Sequence, residues 1–201
     1  MKEIVIAAYE REYSRWVQQL NPDIKVTVYR KGNNHNLENE IYLENNVGRD
    51  VHTFFYHIVN RYNSLSEYTF TSQDDFTYHV NNYIDIINAT PKEWNEHALH
   101  KFEECWFFCT SHEILECDKT GMPNHGGLPI EKIWNELFDS PCPEKIYFPP
   151  GGHFCISDST IKKRPLYFYE KIVNILETDV SSPYVFERLE PYVFNTNYKI
   201  K

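Results

Sequence analysis

No stretch of this sequence approaches the ~20 consecutive apolar residues that a membrane-spanning helix needs, so a span is not expected. The opening MKEIVIAAYERE has too short an apolar run for a signal peptide and meets charge at once. Basic residues are scarce: 20 Lys and Arg stand against 29 Asp and Glu, a formal charge of -9 that repels nucleic acid and anionic membrane surfaces. There is no low-complexity tract and no internal repeat, which leaves no segment that reads as a tail or linker. Cysteine occurs five times, an odd number that, without an export signal, fits reduced thiols in a cytosol-like compartment and not a disulfide framework. A cytoplasmic protein is the expectation.

What is abundant is aromatic: 15 Tyr, 13 Phe and 4 Trp spread over 201 residues are enough for one well-filled domain. The run EIVIAAY reads as a buried strand, and EREYSRWVQQL after it places Tyr13, Trp16, Val17 and Leu20 on one helical face. NPD then turns the chain into a second strand, IKVTVYR. A polar loop, KGNNHNLENE, leads to a helix through DVHTFFYHIVNRY and a strand, SEYTFTS. This alternation predicts an α/β fold with a mixed, mostly parallel sheet, helices on both faces, and ligands at the carboxyl ends of the strands. A further helix is expected through Val80, Tyr83, Ile84 and Ile87, capped by Asp75 or Thr77. Cys105 and Cys109, four apart, read as a buried helix face. Later come a helix over residues 130–138, strands IYF and HFCIS, a helix opened by Arg164 and Pro165, and a last helix, SPYVFERLEPYVFN.

Several groups of residues are able to carry chemistry. Asp74 and Asp75 stand together at a strand end, where two carboxylates suit a hard cation such as Mg²⁺ or Mn²⁺ bridging to phosphate, or else serve as turn and cap. In NNVGRD, Gly48 permits a tight turn, Arg49 offers a planar donor fork, and Asp50 is a helix cap or a ligand acceptor. In PPGGHFCISDSTIKKRP, the paired Gly151 and Gly152 allow close backbone approach and His153 is a candidate metal ligand. Lys162, Lys163 and Arg164 form the densest basic cluster. Glu187 sits on the last helix as a candidate general base. Cys105, Cys109, His112 and Cys117 fit no common zinc spacing.

Taken in order, VYRKG, NNVGRDVHTFFYHIVNRYNSL, YTFTSQDDFTYH, CDKTGMPNHGGLPIEKIWNELF, FPPGGHFCISDSTIKKRPLYFYEKI and YVFERLEPYVFN resemble an uncharacterised domain family of fungi and large algal viruses. Its members are regarded as GT-A-like glycosyltransferases, and the resemblance runs from the second strand to the C-terminus. It implies a single GT-A-like domain over residues 1–201, with residues 1–80 as the nucleotide-binding half and 81–201 as the acceptor half. It also implies host cytoplasm if the chain is viral. Tyr9 and Glu10 would lie beside the nucleotide base, and Arg49 and Asp50 would hold base or ribose. Asp74, Lys163 and Arg164 would complete the donor site. Asp75, helped by Asp74 and His153, would ligate Mn²⁺ or Mg²⁺. Glu187 would deprotonate the acceptor in an inverting displacement, and Asp118, His125, Gly151 and Gly152 would shape the acceptor pocket. The sequence QDD departs from a strict D-x-D.

The expected function is transfer of a sugar, hexose or pentose, from a nucleoside-diphosphate donor, with a UDP-sugar first, to a glycan or glycoprotein hydroxyl. The alternatives are a non-catalytic carbohydrate-binding module on the same fold and a metal-dependent hydrolase built on Asp74, Asp75 and histidines.

Overall fold

The structure, a computed structural model, describes residues 1–9, 12–32, 40–43, 46–110 and 112–201. In chain order they form β1 (Lys2–Ala8), β2 (Lys25–Lys31), β3 (Glu40–Leu43), α1 (Arg49–Arg61), β4 (Tyr68–Gln73), α2 (Tyr83–Asn88), α3 (Pro91–His97), β5 (His100–Phe102), β6 (Cys105–Phe107) and β7 (Leu115–Cys117). These are followed by α4 (Ile130–Leu137), β8 (Ile146–Phe148), β9 (Phe154–Ser157), α5 (Asp158–Ile161), α6 (Leu166–Thr178) and α7 (Ser182–Val193). Seven strands make one sheet in the order β3-β2-β1-β4-β9-β6-β5, and β7 and β8 pair separately. The pairs among β3, β2, β1 and β4 are parallel, whereas β9 is antiparallel to both β4 and β6 and β5 is antiparallel to β6. The expected α/β class and mixed sheet are therefore present.

Because successive side chains on a strand point to opposite faces, the sheet feeds two cores. Ile4, Ile6, Val28, Phe70, Trp106 and Cys155 point to one, which holds Trp16, Tyr83, Ile87 and Trp94. Val5, Tyr29, Phe107, Phe154 and Ile156 point to the other, which α1, α4, α6 and α7 cover with Phe55, Trp134, Tyr169 and Phe186. Phe55 stacks at 6.0 Å on Phe194 and at 6.4 Å on Tyr169, tying α1 to α6 and the end of α7. Burial of aromatic side chains of this size, at ~25 cal/mol per Å² of apolar surface, is what holds the helices on the sheet. Among the described residues no helix is long and apolar enough to cross a membrane.

Four expectations need correction. The segment after β1 is not an α-helix but two short 3-10 turns, Glu12–Arg15 and Val17–Gln19. Their position is fixed by Asp74, which accepts the Tyr13 amide (2.8 Å) on its carboxylate and the Trp16 indole N–H (3.0 Å) on its carbonyl. Tyr13, Trp16 and Leu20 are nevertheless buried as expected. The loop KGNNHNLENE and the residues after it contain β3, an edge strand whose Ile41 and Tyr42 remain exposed. Cys105 begins the second strand of the β5–β6 hairpin instead of sharing a helix with Cys109. Asp75 and Thr77 do not cap α2, which starts only at Tyr83; the Asp75 carboxylate instead accepts the Thr77 amide (2.9 Å) and hydroxyl (2.6 Å).

Candidate functional site

β1 has β2 on one side, reached across one face by the 3-10 turns, and β4 on the other, reached from β3 by α1 across the opposite face. In open α/β sheets such a reversal leaves a crevice at the carboxyl ends of the strands. Here the crevice is a cavity of about 320 Å³. Ala7, Ala8 and Tyr9 line it from the end of β1, Lys31 from the end of β2, and Gln73, Asp74 and Asp75 from the end of β4; Asn46, Arg49 and Asp50 complete it at the start of α1.

The entry to α1 is strained. Gly48 has φ 64° and Arg49 φ 53°, the latter in a region that a side chain with Cβ seldom adopts. Lys31 holds this turn, donating from Nζ to the carbonyls of Val47 (2.7 Å) and Arg49. A Cβ on Gly48 would stand 2.5 Å from His52 Cβ and 3.2 Å from Leu176 Cβ. Gly48→Ala is therefore expected to lower stability by more than ~1 kcal/mol, read as a fall in urea midpoint, and to weaken any ligand that uses the turn. The Arg49 guanidinium donates to the Tyr184 hydroxyl at 2.6 Å, and the Asp50 carboxylate accepts from Gln73 Nε2 at 2.7 Å. Asp50 thus spends a carboxylate oxygen on Gln73, and α1 takes Gly48 as its N-cap.

Arg49, Asp50 and Gln73 also form one wall of a second cavity of about 200 Å³, whose other walls include His79, Gly151, Gly152, Tyr184 and Glu187. The two glycines have φ 100° and 63°, and a Cβ on Gly151 would stand 2.7 Å from the His79 ring. The Gly151 amide donates to Glu187 Oε1 (3.1 Å) and Arg188 Nη1 to Oε2 (3.2 Å), so both carboxylate oxygens are oriented. His125 lies on the Tyr184 ring at 4.3 Å. His153 is buried behind this wall with its ring 5.7 Å from that of His79. Burial first, and then His79, push its pKa down to about 3, so it stays neutral. Neither of its ring nitrogens has a partner of normal hydrogen-bond geometry, although the Gly151 carbonyl is close enough to favour the protonated ring.

The structure thus brings Tyr9, Arg49, Asp50, Asp74, Asp75, Gly151, Gly152 and Glu187 to two adjoining cavities, with His125 one ring away. Glu10 lies outside the described residues. Lys163 and Arg164 are elsewhere: β9 runs antiparallel to β4, so its end lies beside the start of β4, away from the crevice. There Lys163 pairs with Glu103, and Arg164 is buried against the carbonyls of Val193 and Asn195. Asp118 organises its own loop, accepting from the Thr120 amide and hydroxyl and the Met122 amide, and lines neither cavity. Lys31, Gln73, His79 and Tyr184 were not singled out from the sequence; the strand-end rule reaches Lys31 and Gln73, and nothing local marks His79 or Tyr184.

Among the described residues no group of three or more His, Cys, Asp or Glu side chains is arranged to hold a metal. The chemistry of the donor set still suits Mg²⁺ or Mn²⁺, which are commonly held by one or two carboxylates together with substrate phosphates and not by a protein cage. Asp74 and Asp75 supply two carboxylates on the cavity wall. Hydrogen bonds from Thr77 hold the Asp75 carboxyl below its ordinary pKa, so it is ionised at neutral pH.

Comparison with curated proteins and with solved structures finds no match. A family model described as a protein of unknown function (DUF3431) matches residues 4–200. With nearly its whole length covered by that match, the chain belongs to the DUF3431 family.

Proposed function

We propose that this protein is a GT-A-like glycosyltransferase that moves a sugar from a nucleoside diphosphate, UDP first, to a hydroxyl of a glycan or glycoprotein acceptor. The observation that carries this reading is the shared wall: two cavities divided by Arg49, Asp50 and Gln73, one with Lys31, Asp74 and Asp75, the other with an oriented carboxylate, Glu187. Two substrates that exchange a group need adjoining sites of unlike chemistry. The first cavity is lined entirely by residues before 80, and the second shares residues 49–79 and adds residues 151–187; in this reading residues 1–80 would form the donor half and 81–201 would contribute the acceptor side.

In this reading Tyr9 lies at the base, Asp50 and Arg49 hold the ribose and face the diphosphate, and Asp74 and Asp75 would hold Mn²⁺ or Mg²⁺. When bound, the cation would neutralise charge on the departing diphosphate. Glu187 takes the acceptor proton while the acceptor oxygen bonds to the anomeric carbon and the carbon–phosphate-oxygen bond breaks, so the configuration inverts. The Gly151 amide and Arg188 aim the base. Tyr184, packed by the His125 ring at 4.3 Å and by the Arg49 guanidinium 5.3 Å from its ring, brings an aromatic edge to the acceptor side.

UDP with Mn²⁺ at ten times its Kd is expected to stabilise the fold by ~1.4 kcal/mol, which at this chain length is a rise in Tm of roughly 3–6 °C. Asp75→Ala should remove the metal-dependent part of that rise. No shift with any nucleoside diphosphate, with or without metal, would sink the reading.

A further inference from the structure

We propose that Lys31 is the anion-binding cation of the first cavity, seated before any ligand arrives by the Val47–Arg49 turn and by His52. The inference rests on reading that cavity as the seat of a diphosphate, and it names the residue that meets the charge.

Lys31 ends β2, is 2% exposed, and lines the cavity. Its Nζ donates to the carbonyls of Val47 and Arg49 and lies 3.2 Å from His52 Nδ1. His52 Nε2 meets Glu177 Oε1 at 3.2 Å, which makes Nε2 the donor and Nδ1 the acceptor of a neutral ring. The three hydrogens of the ammonium therefore have three acceptors, and all three are uncharged. Among the described residues no carboxylate lies within ion-pair distance of Lys31. Buried cations are ordinarily paired; here the position is fixed and the charge is left uncompensated at contact range, on the wall of a cavity. An arriving anion would supply the missing charge through space across the cavity wall, since the three ammonium hydrogens are already held by Val47, Arg49 and His52. Arg49, by contrast, is exposed and already engaged by Tyr184, and the Lys162–Arg164 cluster lies at the other end of the sheet.

A consequence follows from linkage. Burial pushes the Lys31 pKa down to about 8, with Asp50 and Glu177 partly restoring it. An anion beside Lys31 favours its protonated form, so above pH 8 binding takes up a proton. Affinity is then full below pH 8 and falls, approaching tenfold per pH unit, as pH rises from there toward the pKa of the bound form. The groups facing the ammonium or sharing its cavity are Arg49, Asp50 and His52 from α1, Glu177 from α6, Tyr9 just after β1, and Asp74 and Asp75 just after β4. Burial and Lys31 hold His52 below its ordinary value, so it is neutral over this range. Tyr9 lines the same cavity, which makes Tyr9→Phe the necessary control for its hydroxyl.

The test uses the full chain labelled with ¹³C-lysine and inorganic pyrophosphate as probe. The Lys31 signal should titrate near pH 8 alone and at least one pH unit higher with pyrophosphate. Pyrophosphate Kd measured from pH 7.5 to 9.5, expressed per probe ionisation state because pyrophosphate loses its own last proton in this range, should rise toward tenfold per unit in wild type and Tyr9→Phe, and be weak and without that slope in Lys31→Met. Should Lys31→Met fail to fold, the wild-type titration decides. If UDP stabilises the protein while pyrophosphate leaves the Lys31 signal unmoved, or if the slope disappears in Tyr9→Phe, Lys31 is not the cation and the nucleotide reading stands. If pyrophosphate moves the signal but no nucleotide or nucleotide sugar binds, Lys31 stands and the transferase reading falls. If nothing binds, both fall.

Discussion

Glu187→Gln is expected to lower the rate of the proposed sugar transfer by about 10²–10⁴-fold, the usual contribution of a positioned general base. The UDP-dependent rise in Tm should stay at its wild-type size. Glutamine keeps an oxygen to accept the Gly151 amide, so the glycine turn retains its support, while the ability to take a proton and the bond accepted from Arg188 are lost. The first cavity does not include Glu187, so donor binding has no reason to change. The result separates three ideas with one pair of measurements. Loss of turnover with intact UDP binding is what a base predicts; loss of both would make Glu187 a structural support of the wall. Turnover near wild type would remove it as the base and leave Asp50, the other carboxylate of the second cavity, as the group to examine. Free sugar appearing without acceptor would favour a hydrolase.

That NNVGRD and QDD lie together was legible because strand–helix–strand order places the ends of parallel strands side by side, whereas PPGG and Glu187 were tied to them by the family resemblance and not by strand order. EIVIAAY was readable as a strand because its apolar and β-branched content is continuous, and SEYTFTS because it is a run of hydroxyl and aromatic residues suited to a strand. Residues 105–108 misled because Cys, Trp, Phe and Phe are all apolar, and a run without polar interruptions has no period to read. β3 was hidden by its place at the sheet edge, where Glu40 and the exposed Ile41 and Tyr42 give no core-facing pattern. Lys163 and Arg164 were assigned to the wrong end because the antiparallel direction of β9 is a property of the sheet and not of the segment. The same holds for Lys31. A lysine at a strand end reads as solvated, and only the packing of α1 over β2 makes it a buried charge.

Glu190→Gln should stabilise the protein at alkaline pH, and by an amount that grows with pH. Glu190 is 0% exposed, and neither carboxylate oxygen has a hydrogen-bond partner. Burial, reinforced by the charges of Asp50 and Glu187, raises its pKa well above the ordinary value, so the folded chain keeps a proton that the unfolded chain loses above pH ~4.5. The sign follows directly. The raised value means that this stabilisation is complete below the unfolded pKa and is lost as pH climbs toward the folded one, at up to ~1.4 kcal/mol per pH unit. Glutamine, neutral at every pH, lacks that slope. His57 and His153 act oppositely, because burial lowers their pKa values to about 4 and about 3 and the stability they affect rises with pH up to their unfolded value. The comparison therefore belongs between roughly pH 7.5 and 9, a unit or more above the ordinary histidine value, where those histidines have finished titrating in both states. Urea midpoints of wild type and Glu190→Gln should diverge steadily across that range, and a constant difference would mean that Glu190 is ionised in the fold. A neutral Glu190 also has a bearing on the site. It lies three residues after Glu187 on α7, and an ionised carboxylate there would repel the charge on the proposed base; kept protonated, it leaves Glu187 as the negative group that faces the second cavity from that helix.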